Sequence, residues 1–165
     1  MFSGRVWRYG DHVNTDLIIP GRFLDDYDID SLSRHALEDI DPLFSKNVRE
    51  GDVIVAGRNF GCGSSREQAP AVLKQRGVGA VFARSISRIF YRNAINVGLP
   101  AILCDGTYRL LVAGDIVTVD LEEGRVIRQH DGLKIVFSPP APHLMTILRK
   151  GGLIPYMRDR LRDDR

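Results

Sequence analysis

Only two cysteines, Cys62 and Cys104, occur in the 165 residues. Two thiols make no disulfide scaffold. With no Cys-x-x-Cys pair and four scattered histidines (His12, His35, His130, His143), they make no metal site either. No apolar run nears the roughly 20 residues of a membrane span. The opening Met1-Phe2-Ser3-Gly4-Arg5 lacks the apolar core of an export signal, so a cytoplasmic address is expected. Net charge is +2, too small to argue for nucleic acid or a membrane surface as partner. What remains is an ordinary soluble composition, 44% hydrophobic and 27% charged. The length suits one domain over residues 1–165, and no repeat or linker divides it. The almost wholly charged tail, residues 158–165, is expected to fray.

One stretch stands out: Gly57-Arg58-Asn59-Phe60-Gly61-Cys62-Gly63-Ser64-Ser65-Arg66-Glu67. A strand-like run, Asp52-Val53-Ile54-Val55-Ala56, leads in, and a helical run over 68–76 leads out. Three glycines in seven residues let the backbone turn tightly and approach other groups closely. Ser64-x-x-Glu67 fits a capping box that would start a helix at Ser64, although Pro70 argues for a later or irregular start. Helix-start amides beside Arg66 would form an anion site with a serine hydroxyl next to it. A glycine turn before a capped helix, with no chemistry, would produce the same Ser-x-x-Glu, because capping boxes are common. A phosphate-loop reading fits poorly, since no Gly-Lys-Ser/Thr ending or dinucleotide spacing is present.

Two further blocks accompany this one. Gly4-Arg5-Val6-Trp7 precedes Tyr9-Gly10-Asp11-His12-Val13-Asn14-Thr15-Asp16-Leu17-Ile18-Ile19-Pro20. Later comes Ser87-Arg88-Ile89-Phe90-Tyr91-Arg92-Asn93-Ala94-Ile95-Asn96-Val97-Gly98-Leu99-Pro100. In order and spacing the three blocks resemble the small subunits of 3-isopropylmalate dehydratase, the detached swivel domain of the aconitase superfamily. The resemblance runs from about residue 4 to about residue 155.

The resemblance implies an α/β fold, a β/β/α layered swivelling domain with mostly parallel central strands. It implies a hydro-lyase of leucine biosynthesis that moves a hydroxyl between adjacent carbons of a malate-type diacid. The proton-abstracting base would be Ser64, with Arg66 holding a substrate carboxylate and Ser65 donating beside it. Asp16 would orient substrate-binding groups. The loop with Phe23, Leu24 and Asp25 would choose the substrate, and Asp25 would repel an additional carboxylate, which disfavours homoaconitate. No cofactor is expected in this chain. A 4Fe-4S cluster would sit in a large subunit, in a heterodimer or heterotetramer, and would act on the leaving hydroxide as a Lewis acid. Other readings stay open: a homoaconitase or methyl-substituted malate dehydratase small subunit, or a non-catalytic binding module. Intact Ser64-Ser65-Arg66 argues against the last.

Elsewhere the pattern predicts scaffold. Residues 4–8, 53–56, 79–83 and 101–104 read as strands, and 29–40, 69–76 and 85–91 as helices. Asn93 and Asn96 are expected in a loop, and Arg84, Arg88 and Arg92 on one helix face. Beyond residue 105, four short strands (110–112, 116–121, 125–129, 133–137) precede a helix over 143–150. Cys62 reads as a small packed residue rather than a nucleophile.

Overall fold

The apolar run before the glycine stretch becomes the third strand of one seven-stranded sheet, ordered β4-β3-β2-β1-β5-β6-β7, in the computed structural model, which describes residues 1–163. Strands β1 (Phe2–Arg8), β2 (Val53–Ala56), β3 (Ala80–Ala83) and β4 (Ala101–Leu103) pair in parallel. Strands β5 (Ile116–Asp120), β6 (Arg125–Arg128) and β7 (Lys134–Val136) continue from β1 in antiparallel order. Parallel strands covered on both faces read as unbroken apolar runs, and every residue of β2 and β3 is buried. The side-chain alternation divides them between two cores. Ile54, Ala56, Val81 and Ala83 face the helices; Val53, Val55, Ala80 and Phe82 face Val117, Val126, Ile135 and Phe137. The sheet curls to enclose that second core. Phe82 meets Phe137 edge-on at 5.4 Å, and the Cys104 thiol reaches to 4.0 Å from the Val136 carbonyl. The layered α/β architecture expected from the sequence is present, with a parallel half and a curled antiparallel half.

The crossovers supply the helical layer. Helices α1 (Thr15–Ile18), α2 (Ile29–Ser33) and α3 (Phe44–Asn47) join β1 to β2, α4 (Gln68–Gln75) joins β2 to β3, and α5 (Arg88–Asn96) joins β3 to β4. Helix α6 (Asp105–Leu110) follows β4, and α7 (Pro142–Arg149) and α8 (Leu153–Asp163) close the chain.

Several expectations need correction. The helix expected over 29–40 stops at Ser33, because Leu37 turns to a φ of 58° and donates its N–H to the Ile18 carbonyl. Helix α5 starts at Arg88 rather than residue 85, since Ser87 caps it by accepting the Phe90 N–H, and Ile86 instead bridges to Phe60. It also runs on through Asn93 and Asn96, which are therefore helical rather than loop residues. Residues 105–110 form α6, and the strand expected over 110–112 is absent. Over the tail the chain is helical as α8 to Asp163, and residues 164 and 165 lie outside the described residues.

Asp52 ties the strands together at their entry. It is 3% exposed. Its Oδ1 accepts the Arg5 N–H at 2.8 Å, and its Oδ2 accepts the Trp7 indole N–H at 2.9 Å and the Arg49 N–H at 3.0 Å. Its carbonyl accepts the Gly79 N–H ahead of β3. Removing the carboxylate would orphan three donors, each worth about 1–3 kcal/mol when buried and unpaired. Asp52→Ala is expected to lower unfolding free energy in urea by about 3 kcal/mol or more, and Asp52→Asn by less. A loss under about 1 kcal/mol would show that these donors find other partners.

Candidate active site

Because β1 and β2 are adjacent and parallel, the segments leaving their ends leave together, and they go on pairing. Gly57 N–H donates to the Gly10 carbonyl (3.0 Å), His12 to Arg58 (2.7 Å), Gly61 to Val13 (2.7 Å) and Thr15 to Cys62 (2.9 Å). The Thr15 hydroxyl, on a buried residue, then donates to the Ser64 carbonyl at 3.0 Å. Two glycines make this approach possible. A Cβ at Gly57 would stand 2.0 Å from Asp11 Oδ1, and one at Gly61, where φ is +71°, 2.2 Å from Phe90 Cγ. Asp11 Oδ1 accepts the Arg58 N–H at 2.6 Å. His12 and Asn59 both take left-handed backbone angles and face each other, with Asn59 Nδ2 3.2 Å from His12 Nδ1.

The ladder delivers Asp16 to Arg66. Asn14 caps α1 through its side-chain oxygen, which fixes Asp16 in the first turn. Arg66 Nη1 lies 2.6 Å from Asp16 Oδ1 and donates to the Ile19 carbonyl at 3.1 Å. The guanidinium is mostly covered (17% exposed), while the carboxylate is open at 61%. A charge-assisted bond of this length holds the guanidinium in one orientation with donors to spare.

The capping box does not form. Helix α4 begins at Gln68, Glu67 makes no side-chain cap bond, and Pro70 occupies the third helical position, where its missing N–H would have had no intrahelical partner. Ser64 therefore lies four residues ahead of the helix, beyond the turn over which a helix dipole acts. What it has instead is bare backbone. Among the described residues, the N–H groups of Gly63, Ser64, Ser65, Arg66 and Glu67 donate to no acceptor of the chain. Ser64 and Ser65 are exposed beside that row, and Cys62 is half-buried with its carbonyl taken by Thr15. Successive free amides next to a guanidinium form an anion-binding concavity.

The loop after α1 starts at this pair: a Cβ on Gly21 would be 3.5 Å from Arg66 Nη2 and 3.6 Å from Asp16 Oδ1. Phe23 and Leu24 pack inward, and Asp25 is exposed. Phe23 stacks on His35 with centroids 3.7 Å apart and 11° between planes. His35 Nδ1 is 2.6 Å from Glu38 Oε2, and Arg22 forks onto Asp39 and reaches Glu38 at 2.7 Å. The Arg22 guanidinium holds the Asp39 carboxyl below its ordinary range. Sequence reasoning missed His35, Glu38 and Asp39 as the clamp on this loop, and Thr15 as the support of Ser64. Arg84 does not share a helix face with Arg88 and Arg92; it precedes α5 and pairs with Asp105.

No group of three or more His, Cys, Asp or Glu side chains among the described residues could hold a metal ion. The two thiols do not fit an iron–sulfur cluster, which needs three or four such ligands. No helix among the described residues is long and apolar enough to cross a membrane.

A glycine loop and an arginine–aspartate pair at the end of the parallel half of a curled mixed sheet define a class, the α/β swivel domain of the aconitase type. Residues 13–105 match the family described as the aconitase C-terminal domain. The chain is 48% identical over 156 residues to the 3-isopropylmalate dehydratase small subunit of Halothermothrix orenii, covering 94% of each chain. It is 50% identical over 156 residues to the methanogen homoaconitase small subunit of Methanothermobacter thermautotrophicus, covering 94% of this chain and 90% of that one. The crystal structure of 3-isopropylmalate dehydratase from Methanocaldococcus jannaschii matches with a TM-score of 0.93 at 45% identity, over 99% of this chain and 96% of that chain. The chain belongs to this family, among its dehydratase small subunits.

The clamp yields a test independent of activity. His35→Ala should speed amide hydrogen exchange over residues 21–28 by about tenfold, as a small local loss of stability allows, and leave β2 protected. Unchanged exchange there would mean that Arg22 alone holds the loop.

Proposed function

We propose that this chain is the small subunit of a hydro-lyase that interconverts 2-isopropylmalate and 3-isopropylmalate by dehydration and rehydration, in the cytoplasmic synthesis of leucine. Residues 1–165 act as one swivelling unit. It works only when docked to a large subunit, which carries the iron–sulfur cluster that this chain has no ligands for, and the activation of the departing hydroxyl falls to that partner. The single observation that carries the reading is Arg66, latched to Asp16 at 2.6 Å beside two open serines and a row of free amides.

In this reading Arg66 binds one substrate carboxylate through its remaining donors, and Asp16 keeps it aimed. Ser64 Oγ, as the alkoxide, takes the proton from the carbon next to a carboxylate while the hydroxyl leaves the neighbouring carbon and a double bond forms. On return the hydroxyl adds to the carbon that lost the proton. Ser64 delivers the proton to the carbon that lost the hydroxyl. A serine hydroxyl is a very weak acid, so its anion needs help. The free amides over 63–67 and the Arg66 charge supply it, in place of the helix start that the sequence suggested. Ser65 donates to the bound acid.

A second substrate has one observation in its favour, the 50% identity to a homoaconitase small subunit. Against it stands Asp25, an exposed carboxylate on the loop that opens at Arg66, which would repel the additional carboxylate of homoaconitate.

Coexpressed with a large subunit and assayed without oxygen, the chain should turn over 3-isopropylmalate in preference to homoaconitate, and alone it should turn over neither. The reverse preference would mean that the extra acid finds a cation despite Asp25. Ser64→Ala should cut kcat about 10³-fold or more without loss of fold, because its hydroxyl bonds to nothing among the described residues; near-normal kcat would place the base elsewhere. Arg66→Lys should raise KM about tenfold or more, as the fork and the Ile19 contact are lost together.

A further inference from the structure

Strands β1, β3 and β4 end on the same edge of the sheet as β2, and the residues that follow them gather there. The Arg8 guanidinium lies 4.3 Å from the Tyr108 ring centroid and donates to the Tyr108 carbonyl at 3.2 Å. The Arg84 guanidinium approaches the same ring at 5.6 Å. Arg84 Nε is 2.5 Å from Asp105 Oδ1, and Arg109 Nε is 3.0 Å from Asp105 Oδ2. Two of the three cations, Arg84 and Arg109, thus share one carboxylate, and among the described residues no carboxylate pairs with Arg8. The local charge of +2 equals that of the whole chain. Arg8 and Arg109 are exposed, as are Leu103 and Leu110 nearby in the chain. The mechanism uses none of these residues. The patch adjoins the glycine loop, because Arg84 donates its N–H to the Gly57 carbonyl at 3.1 Å.

We infer that this rim, Arg8, Arg84, Arg109 and Tyr108, seats an acidic segment of the large subunit. The inference rests on the proposed function, in which a partner must cover this edge to complete the site at Ser64. Its chemistry is that of an interface: arginines, an aromatic ring and apolar neighbours. A small diacid could also engage the arginines, but the proposed function needs a partner over this edge, and a partner's acidic segment would meet all three at once. Guanidinium forks with donors left over select carboxylates. The outward-facing charge would steer the two subunits together and fix their register.

The test is assembly of the full chain with its large subunit, titrated at about 50 and about 300 mM salt, where screening differs strongly. Arg8→Glu and Arg109→Glu should each raise Kd about tenfold or more at low salt, and together should flatten its salt dependence. Arg8→Gln and Arg109→Gln, which drop the charge and keep the stem, should fall between. Melting temperatures should match the parent, and kcat at saturating large subunit should stay within about twofold, since these residues touch no reacting group. An unchanged Kd would overturn the inference and leave the proposed function standing. An unchanged Kd with a raised, salt-dependent KM would overturn it in favour of substrate steering. Failure of the parent chain to bind any large subunit would overturn both.

Discussion

The parallel pairing of β1 with β2 does not stop where the strands stop, and the candidate site depends on that continuation. Residues 10–15 and 57–64 stay joined through four backbone bonds and the Thr15 hydroxyl, and only then does the chain release Asp16 and Arg66 at 2.6 Å from each other. Loops that carry polar groups are normally mobile. These two are held because each supplies the other's acceptors, and because Phe60, buried between them, meets Phe90 edge-on at 5.1 Å. The apolar anchor and the backbone ladder act on the same few residues. That coupling lets an exposed loop hold a charged pair in a fixed geometry.

What could be read from sequence was what local patterning decides. The runs 53–56, 80–83 and 101–103 and the hairpin strands past residue 115 are apolar segments between turn residues, and no tertiary contact had to overrule them. Non-local contacts decided the rest. Ser64-x-x-Glu67 looked like a cap, yet Ser64 is pulled towards Thr15 and the helix starts beyond it. No helix was expected over 105–110, yet α6 forms there, and a Cβ on Gly106 would stand 3.0 Å from Ile135 Cγ2 on the far strand. The expected helix over 29–40 was ended by one bond from Leu37 to Ile18. Propensity is a weak prior when a distant carbonyl competes for the same amide.

The site shows the same division. The glycine motif alone suggested an anion site near Arg66 with a serine hydroxyl beside it, whereas the separate roles of Ser64, Ser65, Arg66 and Asp16 came through family resemblance. In the structure Asp16 lies 2.6 Å from Arg66 Nη1, which supports the proposal that it aims the guanidinium. Nothing in the local sequence joins Phe23 to His35, or Arg22 to Asp39. Those contacts exist because the loop folds back over α2 and the turn after it. The segment that would choose the substrate is therefore held at its start, where Arg22 pairs with Glu38 and Asp39 and Phe23 stacks on His35, next to the Gly21 backbone that passes close to Arg66. Loop and arginine are parts of one arrangement, and displacing either should be felt by the other.

The free amides over 63–67 bear on why such a chain would work as half of an enzyme. In the open chain, water satisfies them at little cost. Under a partner that excludes water, each would need an acceptor, since a buried unpaired amide costs about 1–3 kcal/mol. Among the described residues none accepts from them, and Arg66 adds a positive charge to the same spot. A dicarboxylate brings oxygens and the opposite charge together. Closure around an empty site would strand the amides, whereas closure around a bound diacid would pair them. The same donors would then stand ready for the alkoxide form of Ser64 that the proposed reaction needs as its base. The grouping thus favours a swivel that closes on its substrate over one that closes first and admits it later.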